Sequence, residues 1–164
     1  MNIKKYTLSI IIPFFNSRVY LKNKCNLIQR IKKKNNVEAI FVNDGSTDLK
    51  KSQIDLIFKE FKSLKIYHTN HNGPGHARNL GIRKSNANWV MFFDIDDQLS
   101  IKNFPKLIEL LNKNLINDIV SIKHMILRNK NKLKDKNYKP HLIKLNKIDR
   151  IRKFVKLEMD GSVI

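Results

Sequence analysis

Apolar and polar positions divide most of the chain into alternating runs of two kinds. "YTLSIIIPFF" (6–15) is nearly continuous in apolar and β-branched residues over one strand length, which suits a parallel strand buried on both faces. "VEAIFVND" (37–44), "KIYHTN" (65–70), "NWVMFFD" (88–94) and "DIVSIKHMIL" (118–127) read as further strands. Helical spacing fills the gaps. Asn16 or Ser17 caps a helix running to about residue 34, with Leu21, Cys25 and Ile28 on one side. Ser46, Thr47 or Asp48 caps a second, in which Ile54, Ile57, Phe58 and Phe61 recur at helical intervals. "HARNLGIRKS" (76–85) predicts a short third helix, and Ser100 caps a fourth over "IKNFPKLIELLNKN". Strict alternation of this kind predicts the α/β class, a mostly parallel central sheet flanked by helices.

Beyond these runs the pattern changes. "RNKNKLKDKNYK" (128–139) is rich in lysine and asparagine without periodicity and reads as a solvated loop. "KIDRIRKFVKLEM" (147–159) predicts a helix through Ile148, Ile151 and Val155. The expected division is therefore a core over 1–127, a basic connector over 128–146 and the start of a further portion over 147–164.

Composition adds bounds rather than an activity. The 164 residues suffice for one domain with a hydrophobic core. Lys and Arg number 33 against 14 Asp and Glu, a formal net charge of +19. Such a surface could meet nucleic acid, an anionic membrane face or phosphorylated small molecules. Lysine supplies most of it alongside abundant Asn and Ile, a compositional bias that lowers the weight of charge as a clue. Cys25, the single cysteine, cannot form an internal disulfide and reads as a small buried hydrophobe. No run approaches the ~18–20 apolar residues of a membrane-spanning helix. "MNIKKYTLSIIIPFF" is broken by Pro13 and lacks a small-residue cleavage site, so it does not read as a signal peptide. A cytoplasmic protein, able to rest against the inner face of the cell membrane, is the expectation.

The chemistry gathers in "WVMFFDIDDQLS" (89–100), where an apolar strand runs into Asp94, Asp96 and Asp97. Three close carboxylates at a buried strand end repel one another, so a positive group should sit among them. The first three predicted strands end in polar clusters too: "PFFN", "NDGSTD" and "NHNGPGHARN". In open parallel sheets ligands bind beyond the carboxyl ends of the strands, which makes one composite site the economical reading. Asp94 and Asp96 can approach a hard cation whose other ligands are phosphate oxygens. Asp44, before Gly45, can accept a hydrogen bond from a ring N–H or a ribose hydroxyl. Phe15 offers a face for a base, and Arg78 can clamp a phosphate. Taken singly, each has a duller reading as turn, core or surface residue. His68, His71 and His76 straddle a strand end and a loop without helical pairing, which argues against zinc.

Together "LSIIIPFFN", "FVNDGSTD", "NHNGPGHARNLGI" and "WVMFFDIDDQL" resemble, in order and interval, the nucleotide-binding half of the family 2 glycosyltransferases, which have the GT-A fold. The resemblance spans about residues 7–100. It implies transfer of a sugar, with inversion, from a nucleoside diphosphate donor, most often uridine, assisted by Mg²⁺ or Mn²⁺. It places Pro13 and Phe15 at the base, Asp44 at the uracil edge and Arg78 near the diphosphate. Asp94 and Asp96 form the family's DXD signature, Asp94 toward the ribose and Asp96 toward the metal, with Asp97 and Asn16 in support. Asn43 stands where the family usually has aspartate, and Phe15 where it often has tyrosine. The acceptor implied is a saccharide or a lipid-linked saccharide, as in surface polysaccharide synthesis. The family's catalytic base lies well downstream of the DXD loop, and the surroundings of Glu158 and Asp160 do not match its motif. The expectation is thus a truncated chain that keeps donor binding and leaves the base unassigned. Two alternatives remain. A nucleic-acid-binding module would exploit the charge but calls for interleaved aromatics, and 128–139 offers only Tyr138. A sugar-phosphate nucleotidyltransferase calls for an early phosphate loop that "PFFNSRVY" lacks.

Overall fold

The apolar runs become the inner strands of one sheet. The computed structural model describes residues 5–99, 101–113, 119–124, 141–143 and 153–159. In chain order the elements are β1 (Tyr6–Phe14), α1 (Arg18–Lys32), β2 (Val37–Asp44), α2 (Lys51–Glu60), β3 (Lys65–Thr69), α3 (Pro74–Lys84), β4 (Ala87–Phe92) and α4 (Phe104–Lys113). They are followed by β5 (Ile119–His124), β6 (His141–Ile143) and β7 (Lys153–Met159). The sheet order is β3-β2-β1-β4-β7-β5-β6, parallel except for the antiparallel β5–β6 pair. This is the α/β architecture that the alternation predicts.

β1 and β2 are buried along almost their whole length, as both-face burial requires of central parallel strands. One face packs against α1, α2 and α4 through Leu21, Cys25, Ile28, Ile54, Phe58, Phe104 and Leu111, around the fully buried Trp89. Burial pushes the Cys25 thiol up to about 12, so it behaves as the predicted hydrophobe. The opposite face carries α3. A Cβ on Gly81 would meet Ile11 Cγ2 at 2.3 Å, so only glycine lets this helix approach β1 so closely.

Two sequence expectations are corrected. Residues 153–159, expected as part of a helix, form β7, which fills the slot between β4 and β5. "VKLEM" also alternates apolar and polar residues at period two, and an open position in a parallel sheet favours that period over the helical one. Ile148 and Ile151 lie outside the described residues, as does 128–139; His141–Ile143 within the expected connector form β6. The second correction concerns caps. Ser17 Oγ donates back to the Phe15 carbonyl instead of capping α1, and Arg18 N–H is met by Asp48 Oδ2 at 2.8 Å. α2 starts at Lys51, where Lys50 N–H donates to Gln53 Oε1, so Ser46, Thr47 and Asp48 do not cap it. α4 starts at Phe104, with Pro105 in its first turn where a missing N–H costs nothing. The cap expected at Ser100 lies outside the described residues.

At the edge of the sheet away from the polar loops, Glu38 is fully buried. Its carboxylate accepts from Ser9 Oγ (2.5 Å), Lys65 Nζ (2.9 Å) and the Asn86 N–H. Burial pushes this carboxyl's pKa up, but Lys65, Ser9 and Asn86 outweigh it and hold it below the ordinary value. A lowered folded-state pKa contributes stability that is complete above the unfolded value of about 4.3 and drains away as pH falls through the folded one. Glu38→Gln is therefore expected to lose roughly 2–4 kcal/mol at pH 7, by turning an amide toward these donors, and to flatten the acid limb of stability against pH. Urea unfolding between pH 3 and 7 measures both; equal slopes for the two proteins would contradict it.

Candidate functional site

Because β1 to β4 are parallel, the loops after Phe14, Asp44, Thr69 and Phe92 emerge at one edge of the sheet. Register fixes their proximity: Phe14 lies opposite Asn43, Asp44 opposite Thr69, and Phe93 N–H bonds to the Ile11 carbonyl at 3.0 Å.

The first two loops are locked together. Asn16, at φ 48°, offers Oδ1 to Thr47 N–H (2.7 Å), Thr47 Oγ1 (3.2 Å) and Asp48 N–H (3.2 Å), while its own N–H donates to Ser46 Oγ (3.0 Å). Gly45 takes φ 74°, and a Cβ there would meet the His71 backbone nitrogen at 2.6 Å, so glycine is required where these loops cross.

Asp44 is 3% exposed and anchors the third loop. Its Oδ1 accepts from Thr69 Oγ1 (2.8 Å) and Asn72 N–H (3.0 Å), and Oδ2 from Gly73 N–H (2.9 Å), with His71 Nδ1 3.4 Å from Oδ2. Burial raises this carboxyl's pKa, but Asn72, Thr69, Gly73 and His71 outweigh it and keep it below the ordinary value. The sequence suggests an open acceptor; the structure shows an occupied one, with one acceptor position left on Oδ2. Phe15 is 40% exposed and stacks on His71 at 4.0 Å between centroids. Pro13 is buried in β1 opposite Val42, so it braces the strand beneath Phe15 rather than offering a surface. Asn43 Nδ2 contacts His68 Nδ1 (3.1 Å), and His68 Nε2 contacts Asp55 Oδ1 (2.8 Å). His68 and His71 are thus held apart by separate partners, and His76 is exposed.

In the fourth loop Ile95 is buried while Asp94 and Asp96 on either side are exposed. Among the described residues, two positive groups meet the three carboxylates. Arg78 Nη2 lies 3.0 Å from Asp94 Oδ1, with its guanidinium 5.7 Å over the Phe92 ring. The second is Lys24, which sequence reasoning missed. It is 5% exposed, 4.0 Å over the Phe93 ring, and its Nζ donates to the carbonyls of Asp94 (3.2 Å) and Asp97. Burial pulls this ammonium down to about 8, against the upward pull of Asp97, Asp96 and Asp94. The signal was present: Lys24 falls in the stripe formed by Leu21, Cys25 and Ile28.

The donor set fits a hard divalent cation. Among the described residues no three His, Cys, Asp or Glu side chains converge on one metal-sized point. Two exposed carboxylates would leave most of the coordination sphere to water and ligand oxygens, the arrangement Mg²⁺ tolerates best. Glu158 lies on β7 in register with Lys123, and Asp160 lies outside the described residues.

The model of Glycosyl transferase family 2 matches residues 9–160, which includes all four loops. The chain belongs to that family. An uncharacterized glycosyltransferase of Haemophilus influenzae is 33% identical over 108 residues, 65% of this chain and 43% of the relative. The minor teichoic acid biosynthesis protein GgaA of Bacillus subtilis is 37% identical over 98 residues, 56% of this chain and 22% of its own. The chain thus spans less than half the length of these relatives. Among solved structures, residues 1–349 of S. aureus TarS with UDP-GlcNAc superpose at TM-score 0.61, with 24% identity, over 79% of this chain and 37% of that one. The mannosyltransferase PcManGT of Pyrobaculum calidifontis, with GDP-Man and Mn²⁺, gives 0.57 with 19% identity over 71% and 35%. These likenesses establish the GT-A fold for this glycosyltransferase family member. No helix among the described residues is long and apolar enough to cross a membrane.

Proposed function

We propose that this chain binds a nucleoside diphosphate sugar, uridine in the first instance, at the four-loop edge and presents it for transfer to a saccharide or lipid-linked acceptor. The observation that carries this is the Arg78–Asp94 contact beside the exposed Asp96. A cation at one end and carboxylates at the other match a diphosphate neutralised by a divalent metal, with Arg78 taking a phosphate oxygen and Asp94 and Asp96 facing Mg²⁺ or Mn²⁺. Phe15 and His71 supply the aromatic surface for the base, Asp44 the acceptor near it, and Asn16 and Asp97 brace the loops. When bound, the metal neutralises the negative charge that develops on the departing diphosphate. Arg78 on the chain's side would hold that leaving group. TarS with UDP-GlcNAc supports a uridine donor, PcManGT with Mn²⁺ supports the metal, and the teichoic acid relative supports a cell-surface acceptor. The net charge of +19 suits work against an anionic polymer or membrane face.

Calorimetry of the chain with UDP, with and without Mn²⁺, tests the donor half. Heat that depends on Mn²⁺ is the expected result. No heat from UDP, together with salt-sensitive binding of a single-stranded oligonucleotide, would move the charge to the nucleic-acid reading.

A further inference from the structure

We infer that Lys24 is a positioning residue for the aspartate loop, its buried ammonium pinning both ends of the Asp94–Asp97 turn so that Asp94 and Asp96 face outward before any ligand arrives. This rests on the donor-binding reading above. A lysine ammonium has three N–H donors and no acceptor. Here Nζ reaches the carbonyl of Asp94, which opens the turn, and that of Asp97, which closes it. The same turn is closed by Asp97 N–H donating to the Asp94 carbonyl at 3.2 Å. Ile95 plugs the core from within the turn, and Phe93 lies under the ammonium at 4.0 Å. The backbone from 93 to 97 is thus tied to α1 from below, while Arg78 on α3 holds the Asp94 side chain. Asp96 stays exposed on a fixed backbone.

A plain counter-ion would behave in the opposite way. If Lys24 only offset the negative charge, its removal would leave the aspartates less neutralised and would tighten binding of a divalent cation. If it fixes the turn, removal scatters the two carboxylates and weakens that binding. The sign of the change therefore separates the two roles.

Lys24→Met, close in length and apolar, keeps the packing over Phe93 but loses the donors. Calorimetry below the melting temperature should show Mn²⁺–UDP affinity reduced about tenfold or more. Hydrogen exchange at the Asp97 amide, without ligand, should speed up at least tenfold. Lys24→Arg, which keeps charged donors, should recover part of both. Should Lys24→Met fail to fold, Lys24→Gln, which keeps an N–H donor, is read in its place and should fall between wild type and that loss. Unchanged or tighter affinity with unchanged Asp97 exchange would overturn the inference. Absence of Mn²⁺–UDP binding in the wild type would overturn the donor reading instead, and the Asp97 exchange comparison would still decide the role of Lys24.

Discussion

Asp96→Ala is expected to lower Mn²⁺-dependent UDP affinity roughly 100-fold, about 2.7 kcal/mol, while leaving the melting temperature nearly unchanged. Asp96 is exposed, and its alternation with buried Ile95 turns it away from the core, so the fold has little invested in it. Surface substitutions of that kind change stability within about ±0.5 kcal/mol. A divalent ion held by Asp94 and Asp96 would, in contrast, have few protein ligands to lose. Asp94→Ala is a less clean probe, because it also frees Arg78 from a 3.0 Å contact. Titrations of both variants with UDP, in Mn²⁺ and then in chelator, separate the metal-dependent part. Equal affinity for wild type and Asp96→Ala in Mn²⁺ would remove Asp96 from the site.

Asp44→Ala has the opposite profile, a large loss of stability before any question of binding. The buried carboxylate takes the Thr69 hydroxyl and the N–H groups of Asn72 and Gly73, and alanine leaves all three without that acceptor. Charge-assisted bonds of this kind are each worth about 1.5–3 kcal/mol, and unmet buried donors cost about 1–3 kcal/mol. Some of the three would find water, so the expected net loss is about 3–5 kcal/mol, a large fraction of the 5–15 kcal/mol typical of a domain. The sign of the pH effect follows from a pKa held below the unfolded value of about 3.9. The Asp44 contribution is whole above that pH and drains away as pH falls through the lower folded value, so wild type and variant should converge in stability as the solution is acidified. Urea midpoints at pH 7 and pH 3 measure this. A loss under 1 kcal/mol at pH 7 would show that the third loop does not depend on Asp44.

What could be read from the chain follows the range of the forces involved. The strands of the sheet's core were legible because both-face burial writes continuous apolar runs such as "SIIIPF" into the sequence. The polar loops were legible because parallel topology sends the ends of β1 to β4 to one edge. Long-range hydrogen bonds were not. Asp48 meets Arg18, and Asn16 meets Thr47, across loops some 30 residues apart, whereas local spacing made Asn16, Thr47 and Asp48 candidate caps for their own helices. Lys24 was hidden among 33 basic residues, although its place in an apolar stripe marked it out. Glu38 likewise stood as an acid within an otherwise buried strand, a sign that partners must await it. β7 failed for another reason: "KFVKLEM" satisfies both periods, and only the vacant position beside β4 decides between them. Asp44 was found by its motif, but its occupation by the third loop depended on a turn that no local pattern describes.

Anomalous scattering at the manganese edge, from crystals of the chain grown with UDP and Mn²⁺, reads the site directly. The expected result is one manganese peak joining the Asp94 and Asp96 carboxylates to the diphosphate, with the base against Phe15. A diphosphate bound without manganese at these aspartates, or a nucleotide bound away from the four loops, would contradict it.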